Sequence, residues 1–158
     1  MIVRRRALLL GWFVVACGGG QQQSSTTPTP QSMSAAIDRF MAAVKANDLD
    51  QMGRLWGNEK GSMSDQTHDK DREQLRQRLV VMQKMLTNKS YRIVEGPLPS
   101  SARGEVRMFR VELERGACKK VVPMDVVKTH AGGWLLLDPH LEQVGSPNAP
   151  CPAAGTDH

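Results

Sequence analysis

The stretch AAIDRFMAAVKANDLDQMGRLW, residues 35–56, decides the fold. Ile37, Phe40, Met41 and Val44 fall at i, i+3, i+4 and i+7, one apolar stripe of the kind a surface helix turns toward a core. Ser34 stands ahead of the stripe, where a hydroxyl can cap free N–H groups, and Asp38 lies in the first turn, where the helix dipole favours an anion. Asn47 ends this helix. Asp48 then caps a second, in which Leu49, Met52, Leu55 and Trp56 share a face. Two amphipathic helices need a common surface to bury their stripes, and the chain downstream supplies it.

Residues 57–68 (GNEKGSMSDQTH) are polar and glycine-containing and read as a loop. Leu75, Leu79, Met82 and Leu86 then predict a longer helix from about Asp69 to Thr87, with Asp69/Arg72 and Glu73/Arg76 on its solvated side. From Ser90 the period changes from helical to alternating. Tyr91 to Val94 reads as a short strand stopped by Gly96-Pro97 and Pro99. Glu105 to Glu114 is a second strand, with Val106 and Met108 in one phase and Phe109, Val111 and Leu113 in the other. That change of phase predicts a β-bulge near Met108 and Phe109. Lys119 to Thr129 is a third, with Val122, Met124 and Val126 on one face and Pro123 implying a bulge or an edge. The turn Ala131-Gly132-Gly133 leads to a fourth strand, Trp134 to Asp138, resuming near Leu141 to Val144. The expected fold is α+β: about three N-terminal helices packed on the concave face of a curved, four-stranded antiparallel sheet.

The 158 residues suffice for one domain. Hydrophobic residues at 40% and charged residues at 23% exclude collagen, coiled coil and wholesale disorder. Aromatics are only 4%, so the core is aliphatic and rich in methionine, with Met41, Met52, Met82, Met85, Met108 and Met124 on inward phases. Such thioethers pack cores and can also line an apolar ligand cavity. Of the net charge of +5, Arg4, Arg5 and Arg6 supply three, so the remainder lacks the clustered charge that nucleic acid demands.

Those arginines open a basic segment followed by an apolar run, Ala7 to Ala16, about half the length a membrane span needs. Val14-Val15-Ala16-Cys17 resembles the lipobox of bacterial lipoproteins. The resemblance implies that residues 1–16 are a cleaved signal peptide and that Cys17 is acylated and holds the protein to a lipid bilayer. Gly18 stands where an aspartate would favour the inner membrane, so the expected address is the bacterial cell envelope, on the periplasmic face of the outer membrane. Residues 17–32 are the expected tether, with a root-mean-square reach of roughly 20 Å, and 145–158 a Pro-rich tail. An exported chain sits in an oxidising compartment, and its two remaining thiols, Cys118 and Cys151, are expected to pair. The chain-entropy model gives the 34-residue loop so closed about 3–4 kcal/mol.

Helices first and strands afterwards, with residues 35–56 opening the domain and AGGWLLLD (131–138) closing it, resemble the nuclear-transport-factor-2-like, or cystatin-like, cone-shaped domains over residues 33–144. That family includes isomerases, dehydratases, cyclases, ligand carriers and catalytically silent modules, so fold leaves function open. Its enzymes set an Asp or His and often a Tyr in the cone, and no such dyad maps residue by residue here. Asp138, His140 and Tyr91, and also Asp125 on its strand, are the candidates for catalysis, against Asp138-Pro139 as a plain turn opener and His140 resting in solvent. Asp65, His68 and Asp69, with Asp71, are the candidates for a divalent cation, against a plain solvated loop and helix start. No cofactor is implied. The expectation is a membrane-anchored, non-catalytic domain that binds a small apolar ligand or another envelope protein. The alternatives are an isomerase-, cyclase- or dehydratase-type enzyme and a purely structural module.

Overall fold

A computed structural model describes residues 28–146. The expected signal peptide, Cys17, the start of the expected tether, Cys151 and the end of the expected tail lie outside them. Helix α1 (Met33–Ala46) buries Ile37, Phe40, Met41 and Val44, the stripe read from the sequence. Ser32 rather than Ser34 caps it, its Oγ accepting from the Ala35 N–H at 3.2 Å, because the helix starts with Met33 packed against the core. Asn47 closes it in the left-handed conformation, φ 55°. Asp48 caps α2 (Leu49–Leu55), Oδ1 accepting from Gln51 N–H at 2.9 Å.

Residues 57–68 carry more order than a loop. A two-residue hairpin, β1 (Gly57–Asn58) with β2 (Gly61–Ser62), leads into the single-turn helix α3 (Met63–Gln66). Ser62 makes this possible: its Oγ accepts from the Asp65 N–H at 3.1 Å and donates to Asp65 Oδ2 at 2.7 Å, so a short polar stretch satisfies its own backbone. Asp69–Asp71 form a 3-10 turn, and α4 (Arg72–Leu86) begins three residues later than the sequence suggested, burying Leu79, Met82 and Leu86.

The sheet is antiparallel, in the order β3 (Ser90–Pro99), β4 (Val106–Arg115), β5 (Cys118–Lys128), β6 (Trp134–Asp138). Strand β3 runs through Gly96-Pro97 instead of stopping there. It is an edge strand, so its prolines need not donate outward, and its register against β4 shifts twice, between Ile93 and Glu95 and between Glu95 and Leu98. No bulge lies in β4, which pairs with β5 in one unbroken register from Val106↔Val127 to Arg115↔Cys118. The change of phase has another cause. Phe109, Val111 and Leu113 face the main core, whereas Val106 joins Val127 and Leu135 in a smaller cluster, so both faces of the sheet bury apolar side chains. Pro123 pairs with Arg110 on β4, and β6 reaches β5 only over Asp125–Lys128, so Pro123 has a sheet neighbour on one side.

Beyond β6 the expected strand is replaced by a single-turn helix, α5 (Leu141–Val144). Asp138 Oδ1 accepts from the His140 N–H at 2.8 Å and Gln143 N–H reaches the His140 carbonyl at 2.9 Å, a local turn that outcompetes extension. Helices α1, α2 and α4 pack with one sheet face into the main core. The last residues of the expected tether belong to the folded body. Pro30 is buried, its carbonyl accepts from the Trp134 N–H at 2.7 Å, and the Pro28 carbonyl accepts from Arg39 Nη1 at 2.7 Å. A segment poor in apolar side chains can dock through its carbonyls. No helix among the described residues is long and apolar enough to cross a membrane.

Candidate functional site

The chemistry concentrates where β6 runs out. Asp138 lies opposite Asp125 of β5, and two residues on, His140 takes the left-handed conformation, φ 43° and ψ 56°. That conformation is uncommon for a residue with a Cβ and persists where the surroundings over-determine it. They do so here through both ring nitrogens: Nδ1 lies 3.1 Å from Glu142 Oε1 and Nε2 lies 3.3 Å from Asp125 Oδ2. Asp125 is buried, 7% exposed, and its Oδ2 also accepts from Ser100 Oγ at 3.1 Å. Its Oδ1 is buried and has no hydrogen-bond partner among the described residues. Burial acts to lower the His140 pKa, but the bond to Glu142, the charge of Asp138 and the contact with Asp125 outweigh it and hold the imidazole above its ordinary value. Glu142 is in turn lowered, by a backbone hydrogen bond first and by His140 next.

Beside this cluster, α4 and the β6–α5 connection enclose an open groove of about 680 Å³. Trp56, Val81, Met82, Leu137 and Leu141 give it apolar walls. Arg78 of α4, Asp138 and Glu142 put charge at its rim. Trp56 is fixed by its indole N–H, which donates to the Leu137 carbonyl at 3.0 Å. Val81 is an exposed apolar side chain on this wall, at 54%. A smaller hollow of about 220 Å³ adjoins it across Gln74 and Arg78 and includes His68 and Asp71.

The sequence candidates separate. Asp138 and His140 come together with Asp125, but Asp125 does not look into a cone between helices and sheet. It alternates with Met124 and Val126 of the main core and so projects to the opposite sheet face, on the side of Val127. Tyr91 stands apart: its hydroxyl donates to Asp38 Oδ1 of α1 at 3.1 Å, and burial, the Asp38 charge and this bond push its pKa up to about 12. Asp65, His68 and Asp69 do not converge. Asp65 bonds Ser62, Asp69 pairs with Arg72 at 2.8 Å in solvent, and among the described residues no group of three or more His, Cys, Asp or Glu could hold a metal ion. Cys118 is disulfide-bonded, while the expected partner, Cys151, and the acylation candidate, Cys17, lie outside the described residues. Sequence reasoning missed Ser100, Glu142 and the groove. Nothing in the local pattern signals a hydroxyl 25 residues before Asp125 or a cleft made by two distant elements. No protein-family model matches the chain, and no curated protein matches it.

Proposed function

We propose that this chain is a lipid-anchored bacterial envelope protein, held through acylated Cys17 at the periplasmic face of the outer membrane, whose domain binds a ligand or partner without transforming it. The groove between α4 and the β6–α5 connection is the binding surface. Its volume, apolar walls and few charged groups at the rim are the combination that small-molecule and peptide sites use, and this observation carries the reading. The finer fold belongs to the same proposal: a nuclear-transport-factor-2-like, cone-like domain of helices on a curved sheet. In its favour are the helices-then-strands order and the register shifts in β3 and between Asp125 and Val126, which are places where sheets bend.

Native mass spectrometry of protein gently extracted from membranes, after crosslinking, tests the binding reading. A retained small molecule or a reproducible crosslinked neighbour is expected, and a Val81→Asp variant, altered at an exposed wall position, loses it while keeping its fold. Neither species appearing would leave a scaffold. Anchoring is tested separately, by incorporation of labelled palmitate and by release of a Cys17→Ser variant from the membrane fraction. An enzymatic second reading draws on one observation, the buried Asp125, whose Oδ2 meets an imidazole and whose Oδ1 has no hydrogen-bond partner among the described residues. Against it, Asp125 and His140 do not line the groove.

A further inference from the structure

We propose that His140 is a proton-operated latch on the groove: its doubly protonated ring ties Glu142, at the groove's rim, to the buried Asp125 of β5, and loss of one proton frees Glu142 and α5. The proposal deepens the reading of the groove as a binding site and rests on it. A neutral imidazole has one N–H and one bare nitrogen, and an ionised carboxylate can only accept. Two carboxylates on the two ring nitrogens, at 3.1 Å and 3.3 Å, are therefore both hydrogen-bonded only while the ring is an imidazolium.

When the proton leaves, the two contacts are not equally expendable. Asp125 is buried, one of its oxygens has no hydrogen-bond partner among the described residues, and without His140 the other would keep only Ser100, so abandoning it leaves a poorly solvated anion. Glu142 is 66% exposed in its side chain, and water can replace His140 there. The remaining N–H stays on Asp125 and Glu142 is released. Helix α5 is built to follow, since it has four residues between two positive-φ positions, His140 and Gly145. Its other ties include the buried Val144, Leu141 packed against the main core, and a 3.5 Å contact from Arg115 Nη1 to the Val144 carbonyl.

The charged groups around the latch come from every neighbouring element. Asp125 on β5, Asp138 at the end of β6 and Glu142 itself hold the ring or its amide. Arg78 of α4 faces the groove, Arg115 of β4 meets the end of α5, and Lys120 of β5 lies beside Gly145. The raised pKa of His140 fixes the direction: the latch is fully closed below the ordinary histidine value of 6.5 and opens as pH rises through the higher folded value. Opening frees the Glu142 carboxylate and removes the imidazolium charge, while Asp138 keeps its bond to the His140 amide, so the rim becomes more negative and the groove holds cationic ligands more tightly at the higher pH.

The test follows the full-length chain in detergent micelles by isotope-edited NMR, with no ligand added. The His140 ring, the Glu142 amide and the Trp56 indole N–H in the groove wall are expected to titrate together, with one apparent pKa above 6.5. Glu142→Gln should shift the His140 titration downward and flatten the Trp56 response. His140→Asn, which tolerates the left-handed backbone, should abolish that response. A His140 that titrates at or below 6.5, a Trp56 indole that ignores it, or a Glu142→Gln chain with unchanged titration would each overturn the latch. Because no ligand takes part, an empty groove in the mass spectrometry above would sink the binding reading and leave this result standing.

Discussion

Tyr91 is the one tyrosine in the chain, which makes its environment directly readable. Its hydroxyl rests on Asp38 across the gap between β3 and α1, and ionising it would place a second negative charge beside a carboxylate in a half-buried setting. Absorbance titration is expected to give a single phenol ionising at about 12, and Asp38→Asn to bring it back toward 10.0 without reaching it, since burial remains. A wild-type value of 10.0 would show that the contact does not persist in solution. At Gly57 the constraint is steric. A Cβ there would run into the Gly61 carbonyl oxygen and come within 2.8 Å of Leu135 Cδ1. Gly57→Ala is expected to destabilise the fold by about 1–3 kcal/mol, seen as a lower urea midpoint with an unchanged m-value.

Among the elements, the Asn47-Asp48 break between α1 and α2 is where sequence and structure agree most closely, whereas the cap at the start of α1 falls on Ser32 and not Ser34. Asp48 accepts from Gln51 N–H as its position ahead of an apolar face required, and Asp48→Ala is expected to cost about 1 kcal/mol in urea unfolding. Elements with strong periodicity were legible: the stripes of α1 and α4, and β6 from Trp134 to Asp138. What escaped was set by distant partners or by side chains bonding their own backbone. Pro97 reads as a strand stop, yet at the edge of the sheet the strand passes it with a shift of register after Glu95 and pairs again at Leu98↔Met108. Apolar residues in both phases of β4 read as a bulge, because one strand cannot announce that its second face is also covered. Ser62 and Asp138 each turned an expected loop or strand into a helical turn through one side-chain oxygen. The candidate site was half legible. Asp138 and His140 were in view as neighbours in sequence, whereas Glu142's role, Ser100 and the wall contributed by Trp56 depend on where the chain returns.

For the molecule as a whole, the segment from Pro28 to Ser32 matters more than its composition suggests. Gly133 lets it approach: at φ 79°, a Cβ would stand 2.8 Å from Thr29 Cγ2 and 2.9 Å from the Pro30 carbonyl. A chain beginning at Ser32 loses the partners of Trp134 N–H and Arg39, and its expected penalty is about 1–3 kcal/mol, with faster amide exchange at Trp134. If such a chain is as stable as the longer one and protects Trp134 equally, the strap is not structural. On the proposed anchor, only Gly18 to Thr27 then separate the acylated cysteine from the folded body, a leash of ten residues that even fully stretched spans no more than about 35 Å. The leash joins the body at the Trp134 end of β6, and the groove opens at the Asp138 end of the same strand. On that anchor the mooring point and the cleft lie at opposite ends of one strand, so the cleft is not the part of the body held nearest the lipid.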